Sequence, residues 1–196
     1  MKHPLNTRTK KMLMRSLCTG ALVTLLSGYA AAESLDVTFS ANIRETTCDI
    51  KIDGGTGEGM SNNIVLGTNG KTRVDHIAGG TITSPFKLTI TACPSSLNAL
   101  KTTVSGTAST MTTALANSIT VGSGGASNVG LSIARTSARS APFEINSTDD
   151  SKRLVWTPGE IANKEVELTA SLVETKTNSA APGEFRALAI FNFTYE

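Results

Sequence analysis

A chain of 196 residues with 17 glycines, 5% aromatic and 17% charged side chains has the length of one well-cored domain and the composition of a turn-rich β protein. Its formal charge of +2 misleads, because five of the 18 basic residues stand at or before residue 15, where there is no acid. Beyond them 13 basic side chains face 16 acidic ones; that balance, without any basic stripe interleaved with aromatics, excludes an electrostatic binder of nucleic acid or acidic membranes.

Residues 1–32 read as a secretory signal. Lys2, Arg8, Lys10, Lys11 and Arg15 precede a short apolar run, and Ala30-Ala31-Ala32 supplies the small residues of a cleavage site after Ala32. The run is too short and interrupted for a membrane anchor. Cys18 follows Leu17 rather than a small residue, unlike a lipoprotein cysteine.

Residues 33–47 form an N-terminal extension. Leu35, Val37, Phe39, Ala41 and Ile43 share one face of an extended chain, and Asp36, Thr38, Ser40 and Asn42 share the other. Such an apolar row must be covered. Two readings fit it: the first strand of the chain's own sandwich, returned by a tight hairpin, or a ribbon given to another copy. Four residues, Arg44 to Thr47, separate it from Cys48. At ~3.3 Å each they reach about 13 Å, scant for crossing a sandwich whose sheets lie ~10 Å apart, which favours the second reading.

Residues 48–196 form the main domain. Threonine- and valine-rich runs predict strands at 48–52, 63–67, 81–93, 101–106, 118–121, 128–134, 154–156, 164–174 and 184–195. Glycine-rich pieces such as GTNGK, GSGGAS and TPGE separate them as turns, and residues 108–117 have room for one short helix. Short strands at this spacing predict a β-sandwich. Cys48 and Cys93, an even pair in an exported chain, are expected to form a disulfide. A redox or metal-binding pair is the alternative; it lacks a Cys-x-x-Cys motif and has one histidine, His76, beyond the signal. In the last strand Phe185, Ala187, Ala189, Phe191, Phe193 and Tyr195 fall on one face. Leu188 and Ile190 add apolar side chains to the other, so its middle is expected to be buried on both sides. Such a strand needs a neighbour on each edge, and the sequence runs out where it ends.

These residues resemble a pilin subunit of the chaperone–usher family, similar to the type 1 fimbrial major subunits. The row from Val37 to Ile43 with Cys48 after it is similar to that family's extension and first cysteine. PFKLTITAC is similar to its second-cysteine strand, and ASNVGLSI to its mid-domain motif. Gly183 at fourteenth from the end and Tyr195 at penultimate match its terminal strand signature. The resemblance implies an all-β, incomplete immunoglobulin-like sandwich of six strands, completed by a donor strand from another subunit. It implies a groove along Gly183, Phe185, Ala187, Ala189, Phe191, Phe193 and Tyr195, filled first by a periplasmic chaperone. At an outer-membrane usher the extension of the next subunit replaces the chaperone, building a surface fimbria with no cofactor and no catalysis. Two positions depart from the family: Ala41 stands where it usually has glycine, and Leu172 where many members have an aromatic residue. A minor or tip-proximal subunit with a receptor-binding role, or a secreted carbohydrate-binding monomer, are the other readings; the single tryptophan, Trp156, weighs against the last.

Enzyme motifs are fragmentary. GTNGKT ends like a phosphate-binding loop, but Val65 stands where its first glycine belongs. Ser84-Pro-Phe-Lys87 fits Ser-x-x-Lys without the partner motifs, with its lysine in a predicted strand. Asp75 and His76 are sequence neighbours and cannot form a triad. Glu144, Asp149 and Asp150 read as an exposed turn.

Overall fold

A computed structural model describes residues 47–58 and 61–196 of the chain. The expected signal and the apolar row at 35–43 lie outside the described residues. The elements in chain order are β1 (Asp49–Asp53), β2 (Thr56–Glu58), β3 (Ser61–Asn63), α1 (Val74–Ala78), β4 (Thr83–Ala92), β5 (Leu100–Ser105), β6 (Leu115–Ala116), β7 (Val129–Arg135), β8 (Leu154–Val155), α2 (Pro158–Asn163), β9 (Glu165–Glu174) and β10 (Ile190–Tyr195). Six of these strands have five residues or more: β1, β4, β5, β7, β9 and β10. One sheet runs β1-β4-β9-β7-β6, a second β10-β5-β8, and β2 pairs with β3 in a small hairpin.

The two larger sheets enclose the core. Phe86, Leu88 and Ile90 of β4 alternate inward, as do Val166, Leu168, Ala170 and Leu172 of β9; both sets face Leu100 and Val104 of β5 and Leu154 of β8. The inner strand β7, between β9 and β6, is buried along nearly its whole length, so its sequence VGLSIAR carries no polar alternation. Trp156 is only 3% exposed, and its Nε1 donates to the buried Thr102 Oγ1 at 2.9 Å, so each buried polar group satisfies the other. Cys48 and Cys93 are joined in a disulfide that fixes the start of β1 beside the end of β4.

Local chemistry corrects several expectations. Residues 108–117 hold no helix; they turn at Ser109–Ala114 and contribute β6, which pairs with β7. The strand expected at 118–121 is absent, and a single 3-10 turn occupies Val121–Ser123. Residues 64–66 join no ladder; β3 lies just before them. TPGE opens α2: Thr157 accepts from the Glu160 backbone N–H while the Glu160 carboxylate accepts from the Thr157 N–H, a reciprocal cap with Pro158 in the first turn. Leu188 and Ile190 are 70% and 48% exposed, so the last strand is buried on one face only, with Gly106 and Ser105 beside it and no layer above it among the described residues. Its ladder covers 190–195; residues 185–189 are extended without forming one.

The enzyme-like fragments have structural employment. Lys87 stands on β4 between Glu165 and Glu167 of β9, 3.1 Å from each. His76 is exposed on α1. Glu144 pairs with Lys152, and Asp150 with Arg153 and Lys101.

An open sheet edge as the candidate functional site

β10 is the outer strand of its sheet, paired with β5 alone among the described residues. The pairing parity decides which backbone groups are spent. Glu196 and Ala99 exchange both N–H···O bonds at 2.9 Å, so along this antiparallel pair the even-numbered residues of β10 turn their backbone groups toward β5. The same parity continues upstream. Glu184 N–H donates to Gly124 O at 2.9 Å, its own carbonyl accepts from Ala126 N–H at 2.8 Å, and the Arg186 carbonyl accepts from Ser118 N–H at 2.7 Å. The odd-numbered residues Phe185, Ala187, Ala189, Phe191, Phe193 and Tyr195 therefore point their N–H and C=O groups to the opposite edge, where no described strand lies.

The side chains of the same odd residues face the core and are half-buried in strict alternation. Across from them stand the half-buried Ile50 and Ile52 of β1 and, beyond β3, Ile64 and Leu66. The Phe191 ring packs on Phe86 with centroids 5.9 Å apart. The result is an apolar trough between the two sheets, with a row of free ladder groups along one rim. Its two ends differ. At one, Tyr195 Oη donates to the Cys48 carbonyl at 3.2 Å; burial pushes this phenol's pKa up, which keeps the donor protonated. At the other, a cleft of about 730 Å³ opens between Ile64–Leu66 and Gly183–Ala187, floored by Leu131 and Leu172.

Gly183 and Asn117 set the course of the open rim. A Cβ on Gly183 would overlap the backbone of Gly125 and Ala126, so no larger residue allows the chain to enter here. Asn117 spends its whole amide on this segment: Nδ2 donates to Glu184 O at 2.8 Å and Ala126 O at 3.0 Å, and Oδ1 accepts from Arg186 N–H at 3.0 Å and Ile119 N–H at 3.1 Å. The sequence reading missed Asn117, because its partners lie up to 69 residues away and nothing local marks it. Replacing Asn117 with alanine takes the side-chain partner from the Arg186 and Ile119 donors and from the Glu184 and Ala126 carbonyls. A loss of about 1–3 kcal/mol is expected, with faster hydrogen exchange at Glu184 and Arg186 before the rest of the sandwich; uniform exchange would contradict the role.

The structure thus brings together the predicted residues Gly183, Phe185, Ala187, Ala189, Phe191, Phe193 and Tyr195 on one strand and its lead-in. Cys48 and Cys93 lie near its Tyr195 end. The predicted donor residues Leu35, Val37, Phe39, Ala41 and Ile43 lie outside the described residues. Leu172, flagged as a departure, lines the cleft.

Comparison with known proteins agrees with this architecture. Residues 37–196 match the fimbrial protein family. A fimbrial-like protein of Escherichia coli (strain K12), YadM, is 33% identical over 180 residues, covering 88% of this chain and 92% of that one. The crystal structure of the P pilus rod subunit PapA superposes with a TM-score of 0.52 at 16% identity, over 82% of this chain and all of PapA, and at that identity it speaks for the immunoglobulin-like fold alone. The chain belongs to the fimbrial protein family, and it is a structural subunit of a pilus.

Proposed function

We propose that this subunit polymerises by strand addition. The apolar row Leu35, Val37, Phe39, Ala41 and Ile43 of one copy fills the trough beside Phe185–Tyr195 of the next, and its backbone takes up the free ladder groups. The single observation carrying this reading is the coincidence on β10 and its lead-in of half-buried side chains and unspent backbone groups in the same odd-numbered residues. An open, apolar edge of this kind is a standing template for one more strand. The contact is head-to-tail and does not close on itself, so it generates a filament.

The unfilled trough needs cover before assembly. A periplasmic chaperone supplies it and an outer-membrane usher exchanges it for the extension of the next subunit. The route runs through the periplasm to the cell surface, and the working partners are other fimbrial subunits, this chaperone and this usher, without nucleic acid or cofactor. The subunit's role is mechanical rather than catalytic. Burial of Trp156 removes the one tryptophan on which a monomeric sugar binder would stack its ligand.

The test is electrophoresis of surface extract in detergent with and without boiling. The unboiled sample should give a ladder of multiples that collapses to one band on heating; a single band in both lanes overturns strand-linked polymerisation.

A further inference from the structure

The trough has a direction. Its Tyr195 end is tied to Cys48, so the acceptor's own extension leaves there through Thr47. Its other end opens in the cleft between Ile64–Leu66 and Gly183–Ala187. An incoming ribbon parallel to β10 would carry the donor's body to the end from which the acceptor's own extension departs. An antiparallel ribbon carries it to the cleft, leaving the two junctions of each copy at opposite ends, and antiparallel ladders are also the more stable per residue.

Register then follows from side-chain size and charge. The inward residues of both strands are odd-numbered, so allowed registers differ by steps of two. One of them sets Leu35 opposite Phe193, Val37 opposite Phe191, Phe39 opposite Ala189, Ala41 opposite Ala187 and Ile43 opposite Phe185 at the cleft. On the outer face it sets Arg44 opposite Glu184. Glu184 is exposed, and no cation lies within ion-pair distance of it among the described residues. Sliding the ribbon two residues toward Tyr195 brings Arg44 opposite Arg186 and Phe39 onto Phe191, whose ring is already engaged by Phe86. Sliding it the other way leaves Phe193, like Tyr195, with no residue of the apolar row opposite it, and sets Arg44 opposite the uncharged Pro182.

We infer that the first register is the one used, and that the Arg44–Glu184 pair between successive copies sets it and selects partners whose extension is basic after its last apolar residue. The inference rests on the strand-addition reading above. Like charges directly opposite across a ladder oppose pairing, and opposite charges favour it.

The test uses the full chain assembled in its own host. Arg44→Glu and Glu184→Arg, each alone, should lower the amount of heat-sensitive ladder roughly two- to five-fold, and the two together should restore it, because every junction of the homopolymer then carries the reversed pair. Register is read separately. Asn42→Cys with Arg186→Cys places two thiols at a non-hydrogen-bonded pair with Cα atoms ~4.5 Å apart, within disulfide range, and should give covalent dimers on a non-reducing gel. Asn42→Cys with Leu188→Cys should not. A ladder indifferent to both single reversals, a double variant no better than the singles, or cross-linking through Leu188→Cys in place of Arg186→Cys overturns the inference while leaving strand addition intact. Persistence of the ladder after removal of residues 35–43 sinks strand addition itself.

Discussion

Removing residues 35–43 is expected to abolish the heat-sensitive ladder that strand addition predicts, while leaving a subunit whose trough the proposed chaperone can still fill. The expected loss is complete, because the deletion takes away Leu35, Val37, Phe39, Ala41 and Ile43 together. Burial of a Val, Leu, Ile or Phe side chain is worth roughly 1.5–3 kcal/mol each, and each ladder hydrogen bond adds about 1 kcal/mol net. No described residue offers a substitute ribbon. Mixed assemblies provide the internal control: the deleted subunit keeps its trough, so it should still accept the extension of an intact copy and cap the chain at one end. Short ladders in a co-expression experiment, against none with the deleted subunit alone, are the result to measure. Full-length ladders from the deleted subunit alone would show that the polymer is held by some other contact.

The second large effect is expected at the disulfide. Cys48 and Cys93 are separated by 45 residues, and closing a loop of that size is worth about 4 kcal/mol in the chain-entropy model. That is a large fraction of the total stability of an ordinary domain. Cys93→Ser also loosens the geometry of the trough, since the Cys48 carbonyl is the partner of the Tyr195 hydroxyl. The variant should accumulate poorly, with a clearly lowered urea midpoint in the protein recovered, and should form little ladder. Serine is close in size to cysteine, so the defect reports the cross-link rather than lost packing. An unchanged midpoint would mean that β1 is held against β4 by its ladder alone.

Much of this architecture is written in period-two patterns. FKLTIT and VELTASL alternate because β4 and β9 each bury one face, and both were legible. The row from Phe185 to Tyr195 was legible for the same reason, and it is the row that lines the trough. Other features depend on distant partners. Leu115 and Ala116 form a strand because β7 lies beside them, in a segment whose composition suits a helix equally well. Leu188 and Ile190 are apolar yet face outward, and pattern alone assigns such residues to an interior. The cap on α2 was in plain view as Thr-Pro-Gly-Glu, a helix start that also has the composition of a turn. Asn117 left no trace, because its meaning exists only once Glu184 and Arg186 have arrived beside it.

The opposed ends of the trough have a mechanical consequence. If copies join by the proposed strand addition, one junction falls beside Tyr195 and Cys48 and the next at the Gly183 cleft, and a pull along a row of copies would run lengthwise down β10. The ladder would be loaded in shear, with all its rungs strained at once, instead of being peeled open one rung at a time. A thread built this way resists drag far better than the modest strength of any single rung suggests.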